Sequence, residues 1–194
     1  MQVGITGGIG AGKSIVCKIF KVLGIECYDA DSRARSLMES DLRLKAKIQN
    51  LFGWDSFSEG RLQRGFISQM VFRNPDKLKK LNEAVHPFVA RDFKDWSDAR
   101  LASPYVIKEA ALLVETGSYK ELDKLILVRA PEKLKISRIL QRDPQRGEDQ
   151  IKAIMSKQLQ DEEKLKVADF VIENDEKTPL ISQVLEIHDI LKQK

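Results

Sequence analysis

Eight consecutive residues near the start of the chain match a phosphate-binding pattern. The run Gly7-Gly8-Ile9-Gly10-Ala11-Gly12-Lys13-Ser14 is a complete G-x-x-x-x-G-K-[ST] loop. Its glycines let the backbone curl until successive N–H groups converge on one anion. In such a loop the lysine reaches the outer phosphates and the serine hydroxyl holds Mg2+. The pattern therefore predicts a nucleoside triphosphate site.

The residues on either side of this loop favour a genuine site over a chance glycine-rich turn. The short apolar run Val3-Gly4-Ile5 precedes it, with Thr6 between the two. Apolar residues at helical spacing follow it, at Ile15, Val16, Ile19, Phe20 and Leu23. Strand, loop and helix in this order are the context that a phosphate loop requires.

Further strand-like segments alternate with helical patterns of ten residues or more. This alternation predicts an α/β fold with a parallel sheet flanked by helices. Proline marks helix starts at Pro75 and Pro131, and Pro179 precedes a last amphipathic stretch at 180–191. The strands are predicted at Val3–Ile5, Glu26–Tyr28, Tyr105–Lys108, Leu125–Val128 and Phe170–Ile172.

Two long intervals separate these strands. The interval 31–103 exceeds a simple crossover, and we interpret it as an inserted helical lobe broken by glycine and proline. The charged stretch 138–166 contains Arg-Asp-Pro-Gln-Arg-Gly, which ends one helix before another begins, and it could cover a bound nucleotide. The predicted breaks in the first interval are Gly53, Gly60, Gly65 and Pro87.

Length and charge limit the function classes. A chain of 194 residues with 42% hydrophobic residues suffices for one substantial core and a smaller lobe. The net charge of +4 is mild, and without a block of like charges no nucleic-acid partner is predicted. The longest apolar run, 110–114, is too short to cross a bilayer, and Met1 leads almost directly into the first strand. We expect a cytoplasmic protein without membrane partners.

The two cysteines predict neither a zinc site nor a disulfide framework. Cys17 and Cys27 are ten residues apart, with no C-x-x-C pattern and no histidine nearby. We interpret them as reduced, partly buried thiols.

Acidic residues follow two of the predicted strands, where a parallel sheet binds its ligands. Asp29 and Asp31 lie at one strand end. A carboxylate there could accept the proton of an acceptor hydroxyl during phosphoryl transfer, and Asp31 is our candidate. Equally, Asp31 could cap a helix starting at Ser32. Glu115, after Leu112-Leu113-Val114, could likewise cap a helix or line the water around Mg2+.

Three basic residues have two interpretations each. Arg138 and Arg142 are four residues apart and share a helix face, which suits either triphosphate oxygens or a solvated basic surface. His86 precedes Pro87 inside a helical pattern, where a lone histidine is more often structural than functional.

In combination, these residues make the sequence resemble the dephospho-CoA kinase family over nearly its whole length. The chain departs from the family pattern at three positions. Ala11 stands where the family usually has serine, Ile15 where it has threonine or another small residue, and Ala111 where it has proline. The first two supply mainly backbone N–H groups, so we expect phosphate binding to persist. The resemblance rests on Thr6–Ser14, Asp29-Ala30-Asp31, Ala34-Arg35, His86-Pro87, Leu112–Glu115, Arg138, Arg142-Asp143, Gln158, Ala168-Asp169 and Asn174.

The resemblance implies a reaction and a domain plan. ATP with Mg2+ would phosphorylate the ribose 3′-hydroxyl of dephospho-CoA, in a P-loop kinase acting as a monomer or small homo-oligomer. The implied nucleotide-binding core is 1–31, 104–137 and 167–194, with a helical acceptor-binding lobe at 32–103 and a lid at 138–166.

The same resemblance implies roles for individual residues. The catalytic group comprises Asp31, Lys13, Arg138 and Arg142. The ATP-binding group comprises Gly8, Gly10, Ala11, Gly12, Lys13, Ser14, Ile15, Arg142 and Asn174, with Ser14 also holding Mg2+. The acceptor-binding group comprises Asp31, Arg35, His86, Leu112 and Glu115.

Other functions of a phosphate loop fit less well. A kinase for a nucleoside or nucleoside monophosphate is the nearest alternative, and the Asp-Ala-Asp triplet and the His-Pro pair argue against it. A GTP-dependent switch would carry D-x-x-G and N-K-x-D, which this sequence lacks. A nucleic-acid-dependent ATPase would need a basic groove with interleaved aromatic residues, whereas the aromatic residues here are scattered.

Overall fold

The computed structural model describes residues 1–72 and 74–193, which divide into two compact units. One comprises Met1–Asp29 together with the chain from Arg100 onward, and the other is Ala30–Ala99. In chain order the strands are β1 (Gln2–Thr6), β2 (Cys27–Asp29), β3 (Phe57–Ser58), β4 (Arg61–Leu62), β5 (Val106–Glu109), β6 (Lys124–Arg129) and β7 (Phe170–Glu173). The helices are α1 (Lys13–Val22), α2 (Ala30–Ser40), α3 (Leu42–Phe52), α4 (Arg64–Phe72), α5 (Pro75–Asp98), α6 (Glu132–Arg142), α7 (Glu148–Met155), α8 (Asp161–Leu165) and α9 (Leu180–Lys192).

The first unit is built on a parallel sheet. Within the described residues, five strands are ordered β2-β5-β1-β6-β7, and each neighbouring pair is parallel. The predicted α/β fold is confirmed, and each of the strand predictions overlaps an observed strand. Because β1 lies at the centre, the loop that follows it emerges at the middle of the sheet's carboxyl edge.

The core of this unit lies between the sheet and the helices α1 and α9. Val16 and Phe20 of α1 and Val184 of α9 are fully buried against the sheet, as are the apolar residues of β1 and β6. Strands that are covered on both faces have continuous apolar sequences, which explains why Leu125–Val128 contains only apolar residues. This packing fixes the direction of α1, and therefore of the phosphate loop at its start.

One buried polar pair joins α9 to the sheet. The Tyr105 hydroxyl and His188 Nδ1 are 2.6 Å apart, and both residues are buried. Burial lowers the pKa of His188, and the positive charge of Lys192 acts in the same direction. Both effects favour the neutral imidazole, which satisfies the tyrosine hydroxyl without a buried charge.

The second unit is helical, and its helices follow the sequence signals with two exceptions. Gly53 ends α3 with a φ of 89°, and Gly60 turns the β3–β4 hairpin with a φ of 79°. The predicted break at Gly65 is contradicted, because Gly65 lies inside the first turn of α4. The predicted break at Pro87 is wrong, because α5 continues through it from Pro75 to Asp98. Burial of Val85, Val89 and neighbouring residues against α2, α3 and α4 outweighs the backbone hydrogen bond that proline cannot make.

Helix starts agree with the proline signals. Pro75 is the first residue of α5, and the Asn74 side chain accepts a hydrogen bond from the Lys77 N–H at 3.0 Å. Pro131 and Pro179 stand immediately before α6 and α9.

No helix in residues 1–72 and 74–193 combines the length and the apolarity that crossing a membrane would require. The second unit spans most of the predicted acceptor lobe, whose role in binding stays a prediction.

Candidate active site

The phosphate loop requires glycine because other groups approach its backbone closely. A Cβ on Gly7 would lie 2.3 Å from the Val128 carbonyl oxygen, and one on Gly10 would lie 2.6 Å from that of Lys135. A Cβ on Gly12 would lie 2.1 Å from Asn174 Nδ2. Gly10 and Gly12 also have φ values of 79° and 96°, in the left-handed region that favours glycine. Neighbouring atoms of β6, α6 and Asn174 therefore leave no room for a side chain at these three glycines.

Replacing Gly10 by alanine is expected to lower protein stability and weaken ATP binding. A left-handed backbone costs a side-chain-bearing residue about 1–2 kcal/mol, and overpacking typically costs about 1–3 kcal/mol. Thermal unfolding and ATP titration would measure both effects. Gly147→Ala is the control, because Gly147 has a φ of -77° and open space around its Cβ position. Equal effects of the two substitutions would contradict the clash at Gly10.

Lys13 and Ser14 occupy the first turn of α1, directly after the loop. Lys13 Nζ donates to the carbonyl oxygens of Gly7 at 2.9 Å and Gly8 at 3.3 Å, so its ammonium group lies over the loop. Ser14 and Ile15 are exposed, and Ile15 is 45% accessible. The exposed Ser14 side chain and the amino end of α1 suit a metal ion and an anion, and in this structure the Ile15 N–H donates to the Gly12 carbonyl oxygen at 3.0 Å.

Two side chains hold the loop from either side. Asn174 Nδ2 donates to the Ala11 carbonyl oxygen at 2.8 Å, and the Asn174 N–H donates to the Arg129 carbonyl oxygen at 2.8 Å. On the other side, the Ile9 N–H donates to Gln158 Oε1 at 2.9 Å. Asn174 lies directly after β7, and its side-chain amide stabilises the loop by donating to the loop backbone.

The structure places Arg138 beside Asn174, whereas Arg142 pairs with a different residue. Arg138 Nη2 donates to the Asn174 carbonyl oxygen at 3.1 Å and to Glu176 Oε1 at 3.2 Å. Its Nη1 is buried and has no hydrogen-bond partner within the described residues. Arg142 also lies on α6, but its side chain is 63% exposed and pairs with Asp143 at 3.4 Å.

Two carboxylates end adjacent strands beside the loop. Asp29 is the last residue of β2 and Glu109 the last of β5; the two are paired in register, and Glu109 is also paired with Ile5 of β1. Carboxylate and hydroxyl oxygens suit Mg2+, which typically uses one or two carboxylates together with phosphates and water. No set of three His, Cys, Asp or Glu residues arranged for a metal occurs in the described part of the chain. The side-chain oxygens of Ser14, Glu109 and Asp29 are of the type that suits a magnesium ion also held by phosphates.

The remaining acceptor-site candidates lie in the second unit or at the end of β5. Asp31 and Arg35 are four residues apart on α2, and both are exposed, as is His86 on α5. The interpretation of Asp31 as the cap of a helix starting at Ser32 is wrong, because α2 begins at Ala30 and Asp31 lies inside its first turn. Leu112 is 39% exposed in the turn after β5.

Glu115 has protein partners. Its Oε1 accepts a hydrogen bond from the Leu159 N–H at 3.1 Å and lies 2.8 Å from Lys164 Nζ. Lys164 is fully buried, and the Glu115 side chain is 15% exposed. Nearby, Thr6 Oγ1 donates to the Ala111 carbonyl oxygen at 3.3 Å, so the turn that lacks the family proline is still tied to β1.

Comparison with known proteins identifies the family of this chain. A family model described as dephospho-CoA kinase matches residues 1–179. The chain belongs to the dephospho-CoA kinase family. The dephospho-CoA kinase of Bacteroides fragilis is 34% identical over 194 residues, which cover 100% of this chain and 94% of that protein.

Solved structures agree with the family assignment. A structure from Thermus thermophilus has a TM-score of 0.87 at 31% identity, covering 98% of this chain and 96% of that one. The dephospho-CoA kinase of Campylobacter jejuni has a TM-score of 0.64 at 25% identity, covering 100% of this chain and 98% of that one.

Within this dephospho-CoA kinase fold, the sequence prediction did not name Glu109, a further candidate carboxylate at the end of β5. The apolar run Val106-Ile107 ends in Lys108-Glu109, so the strand-end argument that selected Asp29 also selects this carboxylate. The buried Lys135, paired with Asp161 at 2.8 Å, was also missed. A lysine in a charged helix gives no sequence signal of burial, because charged residues are mostly exposed.

Proposed function

We propose that this chain transfers the γ-phosphoryl group of ATP to the ribose 3′-hydroxyl of dephospho-CoA, giving ADP and coenzyme A, the last step of coenzyme A biosynthesis. The observation that carries the proposal is a complete phosphate loop at the carboxyl edge of a parallel sheet, in a chain matched over residues 1–179 by the dephospho-CoA kinase model.

The loop and the start of α1 hold the triphosphate in this proposal. The N–H groups between Gly8 and Ile15 supply the anion cradle, except that of Ile9, which donates to Gln158. Lys13 moves from its own loop carbonyls to the β- and γ-phosphates. This exchange keeps the lysine hydrogen-bonded both before and after ATP binds. Most of the rate then comes from positioning and charge stabilisation, as in other phosphoryl transfers.

Ser14 and the strand-end carboxylates Glu109 and Asp29 would hold Mg2+. A bound magnesium ion would neutralise charge on the β- and γ-phosphates and orient them. The chemistry of these oxygen donors fits that ion, and it does not require a larger cluster of protein ligands.

Basic residues of α6 neutralise charge that develops on the moving phosphoryl group. Arg138 is placed beside Asn174 with one buried, unpartnered donor. A planar guanidinium that is already fixed by Asn174 and Glu176 loses little freedom when it binds an oxygen. Arg142 is exposed and approaches the nucleotide when the predicted lid at 138–166 closes, while residues 158–164 within that stretch keep their contacts with Ile9 and Glu115. Asn174 contributes by holding the Ala11 carbonyl in place.

The acceptor site uses groups from the second unit. Asp31 accepts the proton of the ribose hydroxyl, and Arg35 lies one helical turn further along α2, where it suits an anionic part of the acceptor. We also assign acceptor binding to His86 and Leu112, and Glu115 contributes by accepting the Leu159 N–H.

The test is an ADP-release assay with a panel of acceptors. We expect ADP to form with dephospho-CoA, and the product to gain the mass of one phosphoryl group. Adenosine and adenosine monophosphate test for a nucleoside or nucleotide kinase, and a 3′-deoxyribose analogue of dephospho-CoA tests the hydroxyl. Equal turnover with adenosine, or phosphorylation of the 3′-deoxy analogue, would contradict the proposal.

We also propose a cytoplasmic enzyme, monomeric or a small homo-oligomer, without nucleic-acid or membrane partners. The mild net charge of +4 supports the absence of nucleic acid. Light scattering during size-exclusion chromatography measures the oligomeric state, and turnover that depends on added DNA would contradict this proposal.

A further inference from the structure

Residues 158–164 connect the phosphate loop to the end of β5. This 158–164 segment lies between α7 and the end of α8 and belongs to the same compact unit as the loop. It contacts the loop at one point and the turn after β5 at another. Neither contact follows from the motif itself.

The contact with the loop is made by a side-chain acceptor. Gln158 Oε1 accepts the Ile9 N–H at 2.9 Å, and Ile9 immediately precedes Gly10. Asp161 lies 2.8 Å from Lys135 Nζ, and the Lys135 carbonyl oxygen is the atom that crowds Gly10. The segment therefore holds the first half of the loop both directly and through α6.

The contact with the sheet anchors the segment. The Leu159 N–H donates to Glu115 Oε1 at 3.1 Å, and Lys164 Nζ lies 2.8 Å from the same oxygen. Lys164 is fully buried, so this ion pair is shielded from water and salt. Because Leu159 adjoins Gln158, the anchor also restricts where the Gln158 side chain can reach.

We propose that Gln158 is a positioning residue for ATP binding, acting through the Ile9 N–H and held in place by Glu115 and Lys164. The proposal rests on the proposed ATP site. The N–H groups that bind phosphate converge only while the loop keeps its curled backbone. Gln158 fixes the residue before Gly10, where the curl begins, and so reduces the ordering that ATP must impose.

The test compares Gln158→Met with Gln160→Met. Gln160 is the same residue type two positions later; it is exposed, and its side chain makes no capping hydrogen bond to α8. We expect Gln158→Met to raise the Kd of ATP about tenfold, the effect of leaving one backbone donor without its acceptor. The KM of dephospho-CoA and kcat at saturating ATP change little, and Gln160→Met matches the wild type.

Amide hydrogen exchange provides a readout that reports on the contact itself. Exchange at Ile9 in the ATP-free enzyme should be faster in Gln158→Met than in the wild type and in Gln160→Met. A second variant, Gln158→Ser, should reproduce both effects with a smaller side chain. Unchanged ATP affinity and unchanged Ile9 exchange in these variants would overturn the inference. Absence of ATP binding to the wild type would instead overturn the proposed function.

Discussion

Replacing Asp31 by asparagine is expected to lower kcat by about two to four orders of magnitude, with little change in the Kd of ATP. Asp31 lies in the first turn of α2, two residues beyond the end of β2. Asparagine keeps the shape of the side chain but cannot accept a proton. The loss should therefore fall on the chemical step, while the phosphate loop still binds ATP through its backbone.

Steady-state kinetics and ATP titration separate these two quantities. Asp41→Asn is the matched control in the same unit, because the Asp41 side chain caps α3 through the N–H groups of Arg43 and Leu44. Asparagine is an equally good helix cap, so this control should keep wild-type kcat. Wild-type turnover in Asp31→Asn would show that Asp31 is not the base, and a raised Kd of ATP with unchanged kcat would assign it to binding.

The sequence predicted the parts of this site that depend on neighbouring residues. The phosphate loop, the strand before it and the helix after it occupy about twenty consecutive residues, so one motif and one periodicity specify them. The parallel sheet was equally accessible, because its strands are short apolar runs separated by helices. Local patterns thus predicted the fold and the triphosphate site.

The rest of the site depends on residues that are far apart in sequence. Gln158 and Ile9 are separated by 149 positions, and Glu115 and Leu159 by 44. No periodicity predicts which glutamine reaches which backbone N–H group. Pro87 illustrates the same limit, because tertiary burial of α5 outweighs a local helix-breaking signal.

Glu115 illustrates how the same limit affects a functional assignment. Its sequence position made it a candidate for a helix cap or for the water around Mg2+, and the family resemblance implied acceptor binding. Its observed partners are the Leu159 N–H and Lys164, within the charged stretch 138–166 that was interpreted as a possible cover for the nucleotide. Only the packed structure reveals that Lys164 is fully buried there.

Replacing Lys164 by methionine is expected to lower the free energy of unfolding by about 3–5 kcal/mol, because it leaves the Glu115 carboxylate buried without its cation. Denaturant unfolding would measure the change. Lys166→Met is the control: Lys166 pairs with Glu163 at 2.6 Å, but these side chains are 66% and 53% exposed. Such a surface pair is worth about 0–1 kcal/mol, so the control should unfold nearly as the wild type does.

The double variant Glu115→Gln with Lys164→Met separates loss of charge pairing from loss of packing. The side-chain amide introduced by Glu115→Gln would still accept the Leu159 N–H, and neither buried charge would remain. Since replacing both members of a buried ion pair is often neutral, we expect its stability to return to within about 1 kcal/mol of the wild type. Failure to recover would assign the loss to the packed Lys164 stem. Recovery of stability together with wild-type ATP affinity would show that the anchor needs the Glu115 acceptor and not its charge.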